Sequence, residues 1–107
     1  MLASKKCVPC EGGLTPLNHE QASALLNQTP GWELAADATS IHREYRFRNF
    51  AQALAFVNAV GDIAESEGHH PDIAFGWGYA RITLWTHAIK GLHENDFIIA
   101  SKINNLN

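Results

Sequence analysis

Between Asn49 and Gly68 the apolar residues Ala53, Phe56, Val57, Val60, Ile63 and Ala64 recur at the i, i+3, i+4, i+7 spacing of one helical face. Polar Gln52, Asn58, Asp62 and Ser66 fall largely on the opposite side. Asn49 and Gln52 have the form of a capping box, and Gly68 stands where a left-handed C-cap belongs. The pattern predicts a helix over 49–67. A helix of that length with one apolar face must bury it against another layer, and the flanking sequence offers a sheet. Upstream, Trp32–Ala36 and Ile41–Phe47 read as strands joined by the polar turn Asp37–Ser40. Ile41, Arg43, Tyr45 and Phe47 share one face of the second strand, and His42, Glu44 and Arg46 share the other. Downstream, Ile73, Phe75 and Trp77 alternate, Gly76 and Gly78 favour a turn, and Ile82, Leu84 and Thr86 alternate with Arg81, Thr83, Trp85 and His87.

Two further helices close the pattern. Asn18 with Gln21 opens the first, whose Ala22, Leu25 and Leu26 share a face before Pro30-Gly31 stops it. The last runs over 94–104, with Asp96 near its positive end and Phe97, Ile99, Ala100 and Ile103 as apolar surface. The order is α-β-β-α-β-β-α, which predicts an α+β fold: a four-stranded antiparallel sheet with helices packed on one face. With 107 residues, 46% of them hydrophobic, the chain suits one core. Residues 1–17, broken by Pro9, Gly12, Gly13 and Pro16, read as an extended arm, and 18–107 as a single domain.

Composition narrows the partners. Eight Lys and Arg against eleven Asp and Glu give a net charge of −3, which offers no electrostatic grip on nucleic acid. The longest apolar run, Ala53 to Val57, is far short of the roughly 20 residues a membrane span needs. Lys5 and Lys6 precede no apolar segment, so no secretory signal is read and a cytoplasmic location is expected. Cys7 and Cys10 form a C-x-x-C, but no second such pair completes a zinc site. The Glu11-Gly12-Gly13 that follows reads as loop, unlike the helix a thioredoxin-type motif opens. The arm is therefore expected to be chemically inert, with a redox or metal role for the cysteines as the alternative.

Four of the six histidines, His69, His70, His87 and His93, lie between positions 69 and 93. Imidazole exchanges its proton near neutral pH, so such a cluster invites acid/base chemistry. Glu65, four residues before His69, is placed to orient that ring from the last helical turn. Pro71 holds His70 in extended backbone, so the two adjacent histidines point apart. An antiparallel return can bring His87 back towards His69. Two other readings stand beside this one: His69 and His70 cap a helix and solvate a loop, or three histidines and a carboxylate hold zinc. The compact spacings of zinc ligands are absent. His93 sits at the N-cap of the last helix, where its ring can accept a backbone hydrogen bond. His19 and His42 read as surface residues.

Glu65-x-x-x-His69-His70-Pro71, then Trp77, then Ile82-Thr83-Leu84-Trp85-Thr86-His87, then Gly91-Leu92 and Asp96, resembles the signature of the pterin-4a-carbinolamine dehydratases. The Cys7-Val8-Pro9-Cys10 arm and Gly31-Trp32 resemble the longer members. The resemblance covers nearly the whole chain. It implies dimers or tetramers and conversion of 4a-hydroxytetrahydrobiopterin to quinonoid dihydrobiopterin and water, without metal or cofactor, in recycling the cofactor of aromatic amino-acid hydroxylases. On that reading His69 and His87 transfer protons, supported by Glu65. His70, Pro71, Thr86, Asp96 and Trp77 line the pterin site, with a core position as the alternative for Trp77; Asp96 touches the ligand or a histidine, with a helix-start role as its alternative. The alternative function is a pterin-binding or protein-interaction module, since some animal members act as dimerisation cofactors of a homeodomain transcription factor. A member with altered chemistry, tied to other pterins, is a third possibility. Two positions depart from the pattern: His93 stands where many members carry Ser or Thr, and Arg81 where some have His.

Overall fold

The computed structural model describes residues 2–9 and 12–106. Its main elements are α1 (His19–Leu26), β1 (Glu33–Leu34), β2 (Ile41–Arg46), α2 (Phe50–Glu67), β3 (Asp72–Gly76), β4 (Tyr79–Leu84) and α3 (Glu94–Asn104). The expected α+β order is therefore observed. The sheet order is β1-β2-β4-β3, with every pair antiparallel. β2 and β3 consequently run parallel, with β4 inserted between them and α2 as the crossover.

Local chemistry sets the helix ends. The Asn18 side chain accepts from the Gln21 N–H at 2.8 Å, while the Gln21 side-chain Oε1 accepts from the Asn18 N–H at 2.9 Å. Such a box is worth about 1 kcal/mol. At α2, Asn49 accepts from the Gln52 N–H at 2.9 Å, but the Gln52 side chain reaches one residue further back, to the Arg48 N–H at 2.9 Å. Gly68 closes α2 at φ 65°, a conformation glycine adopts without a Cβ penalty. His93 caps α3: its Nδ1 accepts from the Asn95 N–H at 3.0 Å.

One core joins the layers. Ile41, Tyr45, Ala80, Ile82 and Leu84 supply the inner sheet face, and Ala22, Phe56, Val60, Phe97, Ile99, Ala100 and Ile103 pack on it from the three helices. Each fully buried large side chain contributes roughly 1.5–3 kcal/mol. Tyr45 lies between the Phe56 ring, 4.4 Å away, and the Arg43 guanidinium, 4.6 Å from its centroid. Burial pushes the pKa of its phenol above the ordinary tyrosine value, and the Arg43 charge opposes that rise.

Two strands are shorter than the alternation predicts. β1 covers only Glu33–Leu34, because Trp32 instead turns its ring into the core and donates Nε1–H to Asn104 Oδ1 at 2.9 Å. β4 ends at Leu84, so His87 is not on a strand. It opens a single 3-10 turn, His87–Ile89, closed by the Thr86–Gly91 bridge. The arm is not extended throughout: Leu2–Ser4 form a 3-10 turn, and Leu2 is buried. No helix among the described residues is long and apolar enough to cross a membrane.

Candidate active site

Three chain segments meet around a cleft of about 440 Å³: Cys7–Pro9 of the arm, Glu67–His70 at the end of α2, and Trp85–Ala88 after β4. Gly68 brings the second of these into place. Its left-handed turn sends His69 off the helical path, so His69 and Glu65 do not face each other as two residues of one helical turn would.

His69 meets Asp96 instead. Its Nε2 lies 2.6 Å from Asp96 Oδ1, with the imidazole side chain 11% exposed and the carboxylate 0%. Thr86 donates its hydroxyl to Asp96 Oδ2 at 2.8 Å, and the His93 N–H donates to the same oxygen at 3.0 Å. Three donors from three chain segments thus converge on one buried carboxylate, which satisfies a group that would otherwise be costly to bury. A carboxylate only accepts, so the proton of the short contact sits on His69 Nε2.

Glu65 pairs with the other histidine. Its Oε2 lies 2.5 Å from His70 Nε2, and both side chains face solvent, at 78% and 60% exposure. The expectation that Glu65 orients His69 is therefore corrected: Glu65 orients His70, and Asp96 orients His69. His69 and His70 do point apart, as the proline after them requires.

His87 is exposed and stacks on Trp85, with ring centroids 4.0 Å apart. Trp85 is itself held by an Nε1–H bond to Asp72 Oδ2 at 3.0 Å. The structure thus brings His69, His70, Thr86 and His87 to one cleft, with Asp96 behind them. Thr86 is 3% exposed and its hydroxyl is committed to Asp96. Pro71 and Glu65 stand next to the cleft in the chain without lining it.

Trp77 is neither in the core nor at the cleft. It stands 72% exposed in the two-residue turn between β3 and β4, where Gly78 at φ 85° turns the chain back before the next ladder pair. Sequence reading missed two cleft features. Trp85 alternates on the outer face of the sheet and gives no sign that it will support His87. The arm residues Cys7, Val8 and Pro9 line the cleft although nothing periodic leads them there. Cys10 lies outside the described residues. Among those described, no three His, Cys, Asp or Glu side chains are grouped as a metal ion requires.

A histidine held by a buried carboxylate, beside two more histidines at one cleft, is an arrangement able to exchange protons. The comparisons with known proteins specify it further. The family described as Pterin 4 alpha carbinolamine dehydratase matches residues 15–106. A protein of Halorhodospira halophila, provisionally named pterin-4-alpha-carbinolamine dehydratase, is 53% identical over 98% of this chain and 96% of its own. The Arabidopsis thaliana mitochondrial pterin-4-alpha-carbinolamine dehydratase 2 is 50% identical over 98% of this chain and 58% of its own, longer sequence. The crystal structure of a Brucella melitensis transcriptional coactivator/pterin dehydratase superposes with a TM-score of 0.80 at 27% identity, over 86% of this chain and 98% of that one. The chain belongs to the pterin-4a-carbinolamine dehydratase family, whose activity is that of a hydro-lyase.

Proposed function

We propose that the protein dehydrates 4a-hydroxytetrahydrobiopterin to quinonoid dihydrobiopterin and water, with His69 and His87 as the proton-transfer pair. The observation that carries this reading is the His69–Asp96 contact at a cleft that also holds His87 and His70. Hydroxide is a poor leaving group, so the C4a–O bond breaks as the oxygen takes a proton from an imidazolium and departs as water. N5 gives its proton to an imidazole, and the electrons of that N–H bond form the new C4a=N5 double bond. One proton is donated and one taken up, so the proton count of the enzyme is unchanged, and exchange of a proton between the two rings or with solvent restores the starting protonation states. Such assistance is typically worth about 10²–10⁴-fold.

Asp96 holds the His69 ring through Nε2, which leaves Nδ1 for exchange. The stack on Trp85 sets the His87 ring. His70, oriented by Glu65 and kept in extended backbone by Pro71, acts in binding. Thr86 acts through Asp96. Asp96 itself, wholly buried, is a positioning residue and makes no contact with the pterin. In this reading the enzyme works in the cytoplasm, in recycling of the tetrahydropterin cofactor, as a homodimer or homotetramer without metal.

The decisive assay is the loss of 4a-carbinolamine absorbance with purified protein. Acceleration well above the buffer rate is expected, and its absence would refute the proposal. Turnover is expected to survive EDTA; stoichiometric zinc with chelator-sensitive turnover would overturn the metal-free reading. Sedimentation at micromolar concentration should show a dimer or larger.

A further inference from the structure

The N-terminal arm is tied down by polar side chains that take no part in the proton chemistry. Leu2 is buried against the core, and Lys102 donates Nζ–H to the Ala3 carbonyl at 2.8 Å. Glu67 Oε1 accepts from the Cys7 N–H at 2.8 Å, and Glu67 Oε2 lies 3.7 Å from Lys102 Nζ. Asn95 pairs with the backbone of Val8 as a neighbouring strand would: Oδ1 accepts from the Val8 N–H at 3.0 Å, and Nδ2 donates to the Val8 carbonyl at 2.6 Å. Asn95 is 1% exposed and the Glu67 side chain 12%. Burying a carboxylate and an amide is unfavourable unless their bonds are made, and here they are made to the arm. Chain termini are ordinarily loose unless tied down.

The ties place Cys7, Val8 and Pro9 at the cleft, yet they leave Val8 56% exposed. Both backbone polar groups of Val8 are thus bonded to Asn95, and the residue stands at the cleft with more than half of its surface exposed. Its surface suits a flat bicyclic ring beside polar histidines. We infer that Cys7–Pro9 is a wall of the pterin site, with Val8 a substrate-contacting residue that determines specificity and Glu67 and Asn95 positioning residues that hold it. This inference rests on the dehydratase reading of the cleft.

The test uses the full chain and two readouts: KM and kcat for the carbinolamine, and the Kd of 7,8-dihydrobiopterin by fluorescence titration. Val8→Asp leaves the core untouched, because Val8 is exposed. It should raise KM and Kd about tenfold with kcat within about twofold. Glu67→Ala should move the same two constants in the same direction. Glu67→Gln, which keeps an acceptor for the Cys7 N–H, should restore them. Unchanged KM and Kd in either Val8→Asp or Glu67→Ala would overturn the inference, as would a fall in kcat with KM unmoved. If the unaltered protein turned over no carbinolamine, the dehydratase reading and this inference would fall together. Normal turnover with both constants unmoved in the variants would remove the inference alone.

Discussion

His69 reaches Asp96 across 2.6 Å where the ring is 11% exposed and the carboxylate 0%, whereas His70 reaches Glu65 across 2.5 Å with 60% and 78% of the two side chains in solvent. The distances are nearly equal and the settings are opposite. In water a pair of this kind gains little Coulomb energy and loses side-chain freedom, so it is worth about 0–1 kcal/mol. Inside the protein the same contact is felt more strongly, and removing one partner leaves the other buried and uncompensated. Neighbouring histidines with similar bonds are thereby fitted to different work. The interior ring is fixed by a buried partner, and the surface ring is held only by an exposed one.

The largest effect is expected from the histidines themselves. His69→Ala and His87→Ala should each lower kcat by about 10²–10⁴-fold. The double variant should cost less than the sum if the two act as one unit, which steady-state kinetics on the four proteins would read directly. Simple additivity would separate their roles.

Asp96→Asn tests the interior pair from behind. The amide keeps the shape but brings N–H donors to a place where three donors already converge. At least one of those contacts must break. Thermal unfolding should show a loss on the order of 1–3 kcal/mol, and kcat should fall by roughly tenfold or more as the His69 tautomer is released. Full activity with a lowered Tm would show that Asp96 serves stability alone.

The two pairs were not equally legible in the sequence, and the reason is the range of the interactions. The caps at Asn18, Asn49, Gly68 and His93 join residues two to four apart in the chain, and all four are found where the pattern puts them. The alternation along 81–87 sets Ile82, Leu84 and Thr86 on one side, and all three are buried, although β4 itself ends at Leu84. The site fails where a local rule meets a chain reversal. Glu65 and His69 have helical spacing, but Gly68 at φ 65° ends the helix between them. The Asp96 contact spans 27 positions and depends on how α3 docks beside α2, which no spacing encodes. Trp77 alternates like a strand residue and lands in a turn. The arm has no period at all, and its place at the cleft comes from Glu67 and Asn95, far along the chain.

His70→Ala sharpens the contrast on the surface side. On the proposed binding role, KM should rise several-fold, with kcat held within a few-fold of the unaltered enzyme. Should kcat instead fall as far as in His69→Ala, with KM unmoved, the division of labour between the neighbours would be wrong even with the family assignment intact.

Glu65→Gln should give the smallest effect and discriminate most sharply between two pairings. If Glu65 oriented His69, as helical spacing suggests, the substitution would strike the proton-transfer step and kcat would fall with it. In the structure Glu65 touches His70, and both groups stand mostly in solvent. The charge lost in the variant is therefore screened by water and salt before it reaches the cleft. The glutamine can still accept a hydrogen bond from His70 Nε2, so the ring keeps a partner. KM should change by less than about fivefold, within the worth of an exposed pair, and kcat should not change measurably. The small KM difference between the two proteins should shrink further as ionic strength rises, because only the unaltered pair carries the charge that salt screens. The matching change at the interior, Asp96→Asn, should be indifferent to salt. A kcat loss in Glu65→Gln comparable to that of Asp96→Asn would return Glu65 to the support of His69.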